Sequence, residues 1–164
     1  PELSMTTFSG YHIVGGEASA FHYNWLKSQP EDYAPDNRAF LLSGALSLSH
    51  QYVTSQQVRR EMVNAFERAF KEVHILLGPT IPIPTPAYAQ NWVDQNLEVI
   101  RSCLPFTAPA NLTGTPSLSV PMGLDKRGLP VGMQFIGNHL TEKHLLQIGY
   151  AWEQINPFRF RLAD

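Results

Sequence analysis

Four prolines within eight residues divide this chain of 164 residues into two parts that must fold on either side of a loop. Pro79, Pro82, Pro84 and Pro86 each lack a backbone donor and hold φ at about −65°. That spacing excludes both a helix and the interior of a sheet. Residues 79–88 are therefore predicted to form an extended loop.

The N-terminal segment predicts one short strand and one helix. Residues 11–14 are an apolar strand candidate, which Gly15 and Gly16 would close with a turn. Residues 17–27 then read as a helix. A break rich in proline and acidic residues follows at residues 30–35, so the chain should turn again before its next helical region.

Residues 36–73 carry the strongest helical pattern. Asp36 is predicted as the N-cap, and Gly44 either divides the stretch into two helices or marks a point of close packing. An apolar stripe with spacings of three and four residues follows: Val58, Met62, Ala65, Phe66, Ala69, Phe70 and Val73. Charged residues fall on the other faces: Arg59, Arg60, Glu67, Arg68 and Lys71. They predict a solvated helix face and not a binding patch.

The part beyond the proline loop mixes helices with a β-hairpin. After a short strand at residues 74–77 and the loop, residues 91–103 predict a helix that stops before Pro105. Residues 116–121 and 129–136 predict two strands, because apolar side chains alternate along them and a glycine-rich turn joins them. The whole chain, residues 1–164, thus predicts one α+β unit.

A final helix is predicted at residues 141–154. Thr141 is its N-cap candidate, and Leu140 and Leu145 have the spacing of a hydrophobic staple. The apolar positions predict a buried stripe of Leu145, Ile148, Gly149 and Trp152.

Composition excludes several functions. The net charge is −2, so no basic field supports nucleic-acid binding. Apolar runs are shorter than the ~18 residues that indicate a membrane span. Charged residues make up 16%, below the usual ~25%, which predicts surface buried against the rest of the same protein or against another subunit. With one cysteine and no signal-like segment, the predicted location is cytoplasmic.

The chain shows no self-contained catalytic site. Neither a Gly-x-Ser-x-Gly elbow nor a Ser-x-x-Lys pair is present. Cys103 stands at the end of a predicted helix, next to Leu104 and Pro105, where a buried inert thiol is the better interpretation. The six histidines have no metal-ligand spacing, so we predict no metal site.

Two blocks carry a family resemblance. Residues 106–123 read FTAPANLTGTPSLSVPMG, and residues 128–137 read GLPVGMQFIG. These blocks resemble the C-terminal region of the amidase signature family, which reads F-T-x-P-x-N-x-x-G-x-P, then a short strand, then G-L-P-x-G-x-Q-x-x-G. Weaker similarity covers nearly all of the chain.

The resemblance implies a hydrolase of carbon–nitrogen amide bonds. It also implies an α/β fold, a mixed β-sheet flanked by helices, of which this chain alone would form the α+β part. Family members use a Ser-cisSer-Lys triad without a cofactor, and the triad lies in their N-terminal half. We therefore expect this chain to be a C-terminal part that lacks the catalytic segment. Its expected partners are the N-terminal catalytic part of the same protein and a small-molecule amide, with homo-oligomerisation as a further possibility.

Three residues become candidates for the substrate cavity. Thr107 and Asn111 lie one turn apart, and they either line the cavity or serve as a helix N-cap and a turn residue. Arg38 lies near the position where the A subunit of tRNA-dependent amidotransferases binds the carboxylate of glutamine. In those amidotransferases an Asp stands two residues before the Phe-Thr pair, where this chain has Leu104.

Leu104 favours a general amidase, or an enzyme similar to allophanate hydrolase, over a glutamine-hydrolysing subunit. The amidotransferase subunit stays as one alternative. A stand-alone interaction module that has lost catalysis is the other.

Overall fold

The computed structural model describes residues 4–87, 90 and 92–156 and shows an α+β fold, which confirms the predicted class. The elements follow in the order α1 Ser4–Ser28, a 3₁₀ turn Pro30–Asp32, α2 Pro35–Ala45, α3 Ser49–Glu72, β1 Ile75–Pro79, α4 Trp92–Thr113, β2 Ser117–Leu124, β3 Pro130–Gly137 and α5 Glu142–Ile155. Within the described ranges, no helix is long and apolar enough to cross a bilayer.

Helix α1 overturns the strand predicted at residues 11–14. It runs unbroken through Gly15 and Gly16, because these glycines serve helix packing instead of a turn. Gly15 lies against Gly44 of α2. A Cβ added at Gly44 would overlap the carbonyl of Gly15. Both interpretations of Gly44 are therefore confirmed, since α2 also ends at the next residue.

Helix α3 buries Met62 and Ala65 of its predicted apolar stripe, whereas Val73, the last predicted member, follows the helix and is 40% exposed. Met62 packs in one core cluster with residues of α1 and α4: Ile13, Ala108 and Leu112. One charged residue departs from the predicted solvated face. The Nε of Arg59 donates a 2.7 Å hydrogen bond to the carbonyl of Leu112, at the negative end of the α4 dipole.

Asp36 is not the N-cap of α2. The helix begins at Pro35, whose missing N–H costs nothing in the first turn, and Ala34 takes the cap position. Asp36 lies in the first turn, and its Oδ2 accepts a 2.8 Å hydrogen bond from Nδ2 of Asn96. This bond ties α2 to the N-terminal half of α4.

Helix α4 is longer than predicted. It does not stop before Pro105 but continues through Pro109 to Thr113. Its second half packs buried alanine and leucine side chains into the core, which offsets a cost of about 3 kcal/mol for each interior proline. The hydroxyl of Thr113 also bonds to the carbonyl of Pro109 at 2.8 Å, so the last turn gains a side-chain donor.

The proline loop begins one residue later than predicted, because Pro79 is the last residue of the edge strand β1. Residues 80–87 contain neither helix nor strand, as predicted. Residue 88 of the predicted loop and residue 91 at the predicted start of α4 lie outside the described residues.

The described strands form an antiparallel sheet in the order β1-β3-β2. Alternation along β3 separates its two faces. Met133 and Phe135 join a core cluster with Leu145 of α5, together with Val120 of β2. Gln134 points to the opposite face, toward α4. One face of the sheet thus packs in a hydrophobic layer against α5, and the opposite, polar face is directed toward α4.

Strand β2 passes through Pro121, where the sequence predicted its end. It is an edge strand, so a proline can remain in it without breaking a central ladder. The register shifts between Pro121 and Gly123, and the indole of Trp152 donates to the Pro121 carbonyl at 2.8 Å.

Helix α5 confirms its buried stripe and Thr141 as its N-cap residue, but not the predicted hydrophobic staple. Leu145 is only 3% exposed, whereas Leu140 is 91% exposed and has φ 59°, so no hydrophobic staple forms. Thr141 stands at the N-cap, yet its hydroxyl donates to the Asn138 carbonyl and not to the helix.

The hairpin turn should respond to acid through Asp125. Its carboxylate accepts the backbone N–H groups of Leu129 and Arg127 and pairs with the Arg127 guanidinium at 2.9 Å. The Leu129 N–H, with smaller contributions from Arg127, lowers the pKa of Asp125. A lowered pKa in the folded state adds stability above the ordinary carboxyl pKa of about 3.9, and that stability is lost as the pH falls through the folded value.

The substitution Asp125→Asn isolates this effect. We expect a small difference in Tm from the unsubstituted protein that is constant between pH 5 and 7 and shrinks below about pH 4. Thermal melts of both proteins across this range measure it. A difference that grows on acidification would contradict the assignment.

Candidate functional site

A cleft of about 450 Å³, lined mostly by residues with polar, uncharged side chains, lies between the second half of α4 and the face of the sheet that is directed toward α4. Its lining residues are Thr80, Thr107, Ala110, Asn111, Gly114, Thr115, Ser117, Ser119 and Gln134. Two of the three residues that the sequence singled out, Thr107 and Asn111, therefore lie together on its wall.

The α4 wall presents Thr107 and Asn111 one turn apart. Both lie inside the helix, so the N-cap and turn interpretations were wrong. The Thr107 hydroxyl donates to the Cys103 carbonyl at 3.3 Å, and Nδ2 of Asn111 donates to the Thr107 carbonyl at 2.8 Å. In the described part of the chain, Oδ1 of Asn111 accepts no hydrogen bond, so it is free to accept one from a ligand.

The sheet wall is built around a hydroxyl pair. The hydroxyls of Thr80 and Ser119 share a 2.7 Å hydrogen bond on the side of the cleft that the sheet forms. Gly132 lies directly behind them, because a Cβ there would come within 2.8 Å of the Thr80 hydroxyl oxygen. The glycine thus leaves the space that lets this pair sit close to the sheet.

Gln134 is a site residue that the sequence analysis missed. It is 7% exposed, and its Nε2 donates to the carbonyls of Pro79 at 3.0 Å and Phe106 at 3.1 Å. Its Oε1 accepts a hydrogen bond from the Ser117 hydroxyl at 3.2 Å. The available signal was a glutamine within an otherwise apolar strand, in the block at residues 128–137.

Among the described residues that line the cleft, none has an ionisable side chain. Hydroxyls and carboxamides can donate and accept hydrogen bonds to a neutral polar ligand. They cannot activate one another as nucleophiles, because no general base is among them. The cleft therefore has the chemistry of a binding wall and not of a complete catalytic centre.

Cys103 lies on the helix that borders the cleft but is not one of the described lining residues. Burial raises the pKa of the Cys103 thiol, which disfavours the nucleophilic thiolate. This agrees with the interpretation of Cys103 as an inert thiol.

Arg38 is not among the described residues that line this cleft. Its Nη1 donates to the Pro30 carbonyl at 3.3 Å, beside the start of α2. That end of α2 contacts α4 at Asn96, which lies eleven residues, about 16 Å along the helix, before Thr107. The structure thus separates Arg38 from the other two candidates.

A match to a family model decides the family. The model described as Amidase matches residues 5–146, most of the chain. The chain belongs to the amidase signature family. The A subunit of the glutamyl-tRNA(Gln) amidotransferase of Cyanothece sp. is 36% identical over 142 residues, covering 84% of this chain and 29% of that protein. An amidase of Pseudomonas putida is 34% identical, covering 92% of this chain and 33% of that protein.

Solved structures of this amidase fold include one described as a crystal structure of amidase. It superposes with a TM-score of 0.78 at 24% identity, covering 93% of this chain and 36% of that one. Allophanate hydrolase of Kluyveromyces lactis gives a TM-score of 0.75 at 18% identity, covering 93% of this chain and 25% of that one. The chain thus spans about a third or less of the length of these relatives.

Proposed function

We propose that this chain forms one wall of the substrate cleft, and part of the core, of an enzyme that hydrolyses carbon–nitrogen amide bonds. The observation that carries the proposal is the neutral polar cleft beside Thr107 and Asn111. An amide offers one strong acceptor and, when it carries an N–H, a donor. Hydroxyl and carboxamide side chains match both.

The nucleophile and its base come from outside this chain in our proposal. The relatives are about three times longer. The resemblance to the family implies that the Ser-cisSer-Lys triad belongs to the N-terminal part. That part is the proposed partner. Large exposed side chains on α1, among them Phe21 at 70% and Trp25 at 52%, offer apolar surface for such a partner. The same surface would promote self-association of the chain on its own.

A glutamine-hydrolysing component of a tRNA-dependent amidotransferase is the second candidate, because the Cyanothece relative is named as part of such an enzyme. Leu104 argues against it. Its side chain packs against the core cluster that contains Ile13 and Met62, so position 104 supplies a hydrophobic contact and no carboxylate for an ammonium group. We therefore prefer a neutral amide over glutamine as the substrate, in a cytoplasmic enzyme.

The test is an assay of the intact protein that contains this chain. It should release amine or ammonia from neutral aliphatic or aryl amides and should act far more slowly on glutamine. The 164-residue chain by itself should show no turnover. Failure of the intact protein on every amide would refute the proposal and favour an interaction module, whereas preferential glutamine hydrolysis would favour the amidotransferase.

A further inference from the structure

We propose that Gln134 is a positioning residue that sets the distance between α4 and the sheet, and so the width of the substrate cleft. This inference rests on the proposed amide-hydrolysing function. It assigns to Gln134 a role through other residues, and no contact with the reacting amide.

The side-chain amide nitrogen of Gln134 has no N–H donor left for a substrate. A carboxamide nitrogen carries two N–H donors, and both are used, one on Pro79 and one on Phe106. The carbonyl oxygen accepts from Ser117. With 7% of the residue exposed, the side chain is a buried link between parts of the fold.

Each partner of Gln134 either lines the cleft or stands next to a residue that does. Ser117 lines it, Pro79 precedes Thr80, and Phe106 precedes Thr107. One side chain therefore holds β1, β2 and α4 at the points where they enter the cleft wall. A change in the position of the Gln134 side chain would therefore move Thr80, Thr107 and Ser117 in the cleft wall.

The Phe106 carbonyl lies in a weakened turn of α4. Pro109 lacks the N–H that would bond to the carbonyl of Pro105, and its ring crowds that carbonyl, which directly precedes Phe106. Gln134 supplies a donor to the next carbonyl, that of Phe106. At the far end of the same segment, Arg59 holds the Leu112 carbonyl. Loss of Gln134 should thus release one end of residues 106–112 while the other stays attached.

The experiment compares Gln134→Met with Phe135→Leu in the intact protein. Methionine keeps the length of the side chain and removes both donors. Phe135 is the neighbouring buried residue on the opposite face of β3, packed toward α5. Its substitution should lower Tm by a similar amount, because a core contact is lost without touching the cleft.

We expect Gln134→Met to lower kcat about tenfold with KM changed by less than about threefold, because the bound amide is less well oriented. Phe135→Leu should stay within about twofold. Backbone amides of residues 107–113 should exchange hydrogen faster in Gln134→Met than in Phe135→Leu. Gln134→Leu, which also lacks both donors, should resemble Gln134→Met.

Equal kinetics and equal exchange in the two variants would overturn the inference while leaving the proposed function intact. If the unsubstituted protein hydrolyses no amide, the proposed function fails, and the exchange data alone decide whether Gln134 holds α4. Equal exchange in that case also overturns the inference.

Discussion

Replacing Gly44 by alanine should destabilise the protein by about 3 kcal/mol, the largest stability loss that we expect from one added methyl group. The new Cβ would overlap the carbonyl carbon and oxygen of Gly15 in α1. Both sides of this contact are backbone, so no side chain can rotate away. Helices α1 and α2 would have to separate, which would also strain the 2.7 Å hydrogen bond between Tyr11 and Ser43. Urea or thermal unfolding measures the loss.

Two glycines of α1 provide matched controls. A Cβ at Gly15 would stand 3.6 Å from its nearest neighbours, and one at Gly16 would stand 3.6 Å from the ring of Tyr52, both ordinary contacts. Because alanine is the better helix former, Gly16→Ala should stabilise α1 by about 0.5–1 kcal/mol. If Gly44→Ala proves as well tolerated as Gly15→Ala, the close approach of the two helices is not as described.

The elements that the sequence predicted well are those whose signal is local. The stripe on α3 and the stripe on α5 repeat with the helical period, and the hairpin of β2 and β3 alternates with the strand period. Burial of Met62 and Leu145 follows from these periods without knowledge of the partner surface.

The elements that the sequence misplaced depend on distant contacts. The local sequence indicates a turn at Gly15, but packing against α2 favours a helix there. It indicates a helix end before Pro105, but packing of α4 into the core keeps the helix continuous. The local sequence indicates a solvated charge at Arg59, but in the fold its guanidinium bonds to the C-terminal end of α4. Local propensity is a weak prior, and tertiary packing outweighed it in each case.

The same distinction holds for the cleft. Thr107 and Asn111 were predicted because they stand one turn apart in a block that resembles the family. Gln134 was missed as a site residue because its partners come from three separate segments of the chain. No spacing in the sequence indicates that those segments meet.

Removing the polar groups of Thr107 and Asn111 together should lower kcat/KM of the intact enzyme for a neutral amide roughly a hundredfold. The substitutions Thr107→Val and Asn111→Leu preserve side-chain volume while removing the hydroxyl and the carboxamide from the wall. Each lost hydrogen bond to the substrate is worth about 1.4 kcal/mol, or a factor of ten in rate. The single variants should therefore each lose about tenfold, and steady-state kinetics on one amide substrate measures all three.

A control on the same helix separates loss of the cleft from damage to α4. The hydroxyl of Ser102 donates to the carbonyl four residues earlier, at 2.9 Å, as the Thr107 hydroxyl does, but Ser102 is not one of the described lining residues. Ser102→Ala should thus leave kcat/KM within about twofold. If Ser102→Ala slows the enzyme as much as Thr107→Val, the helix and not the cleft wall carries the effect. If the double variant keeps full activity, the amide binds elsewhere, and the neutral polar cleft is not the substrate site.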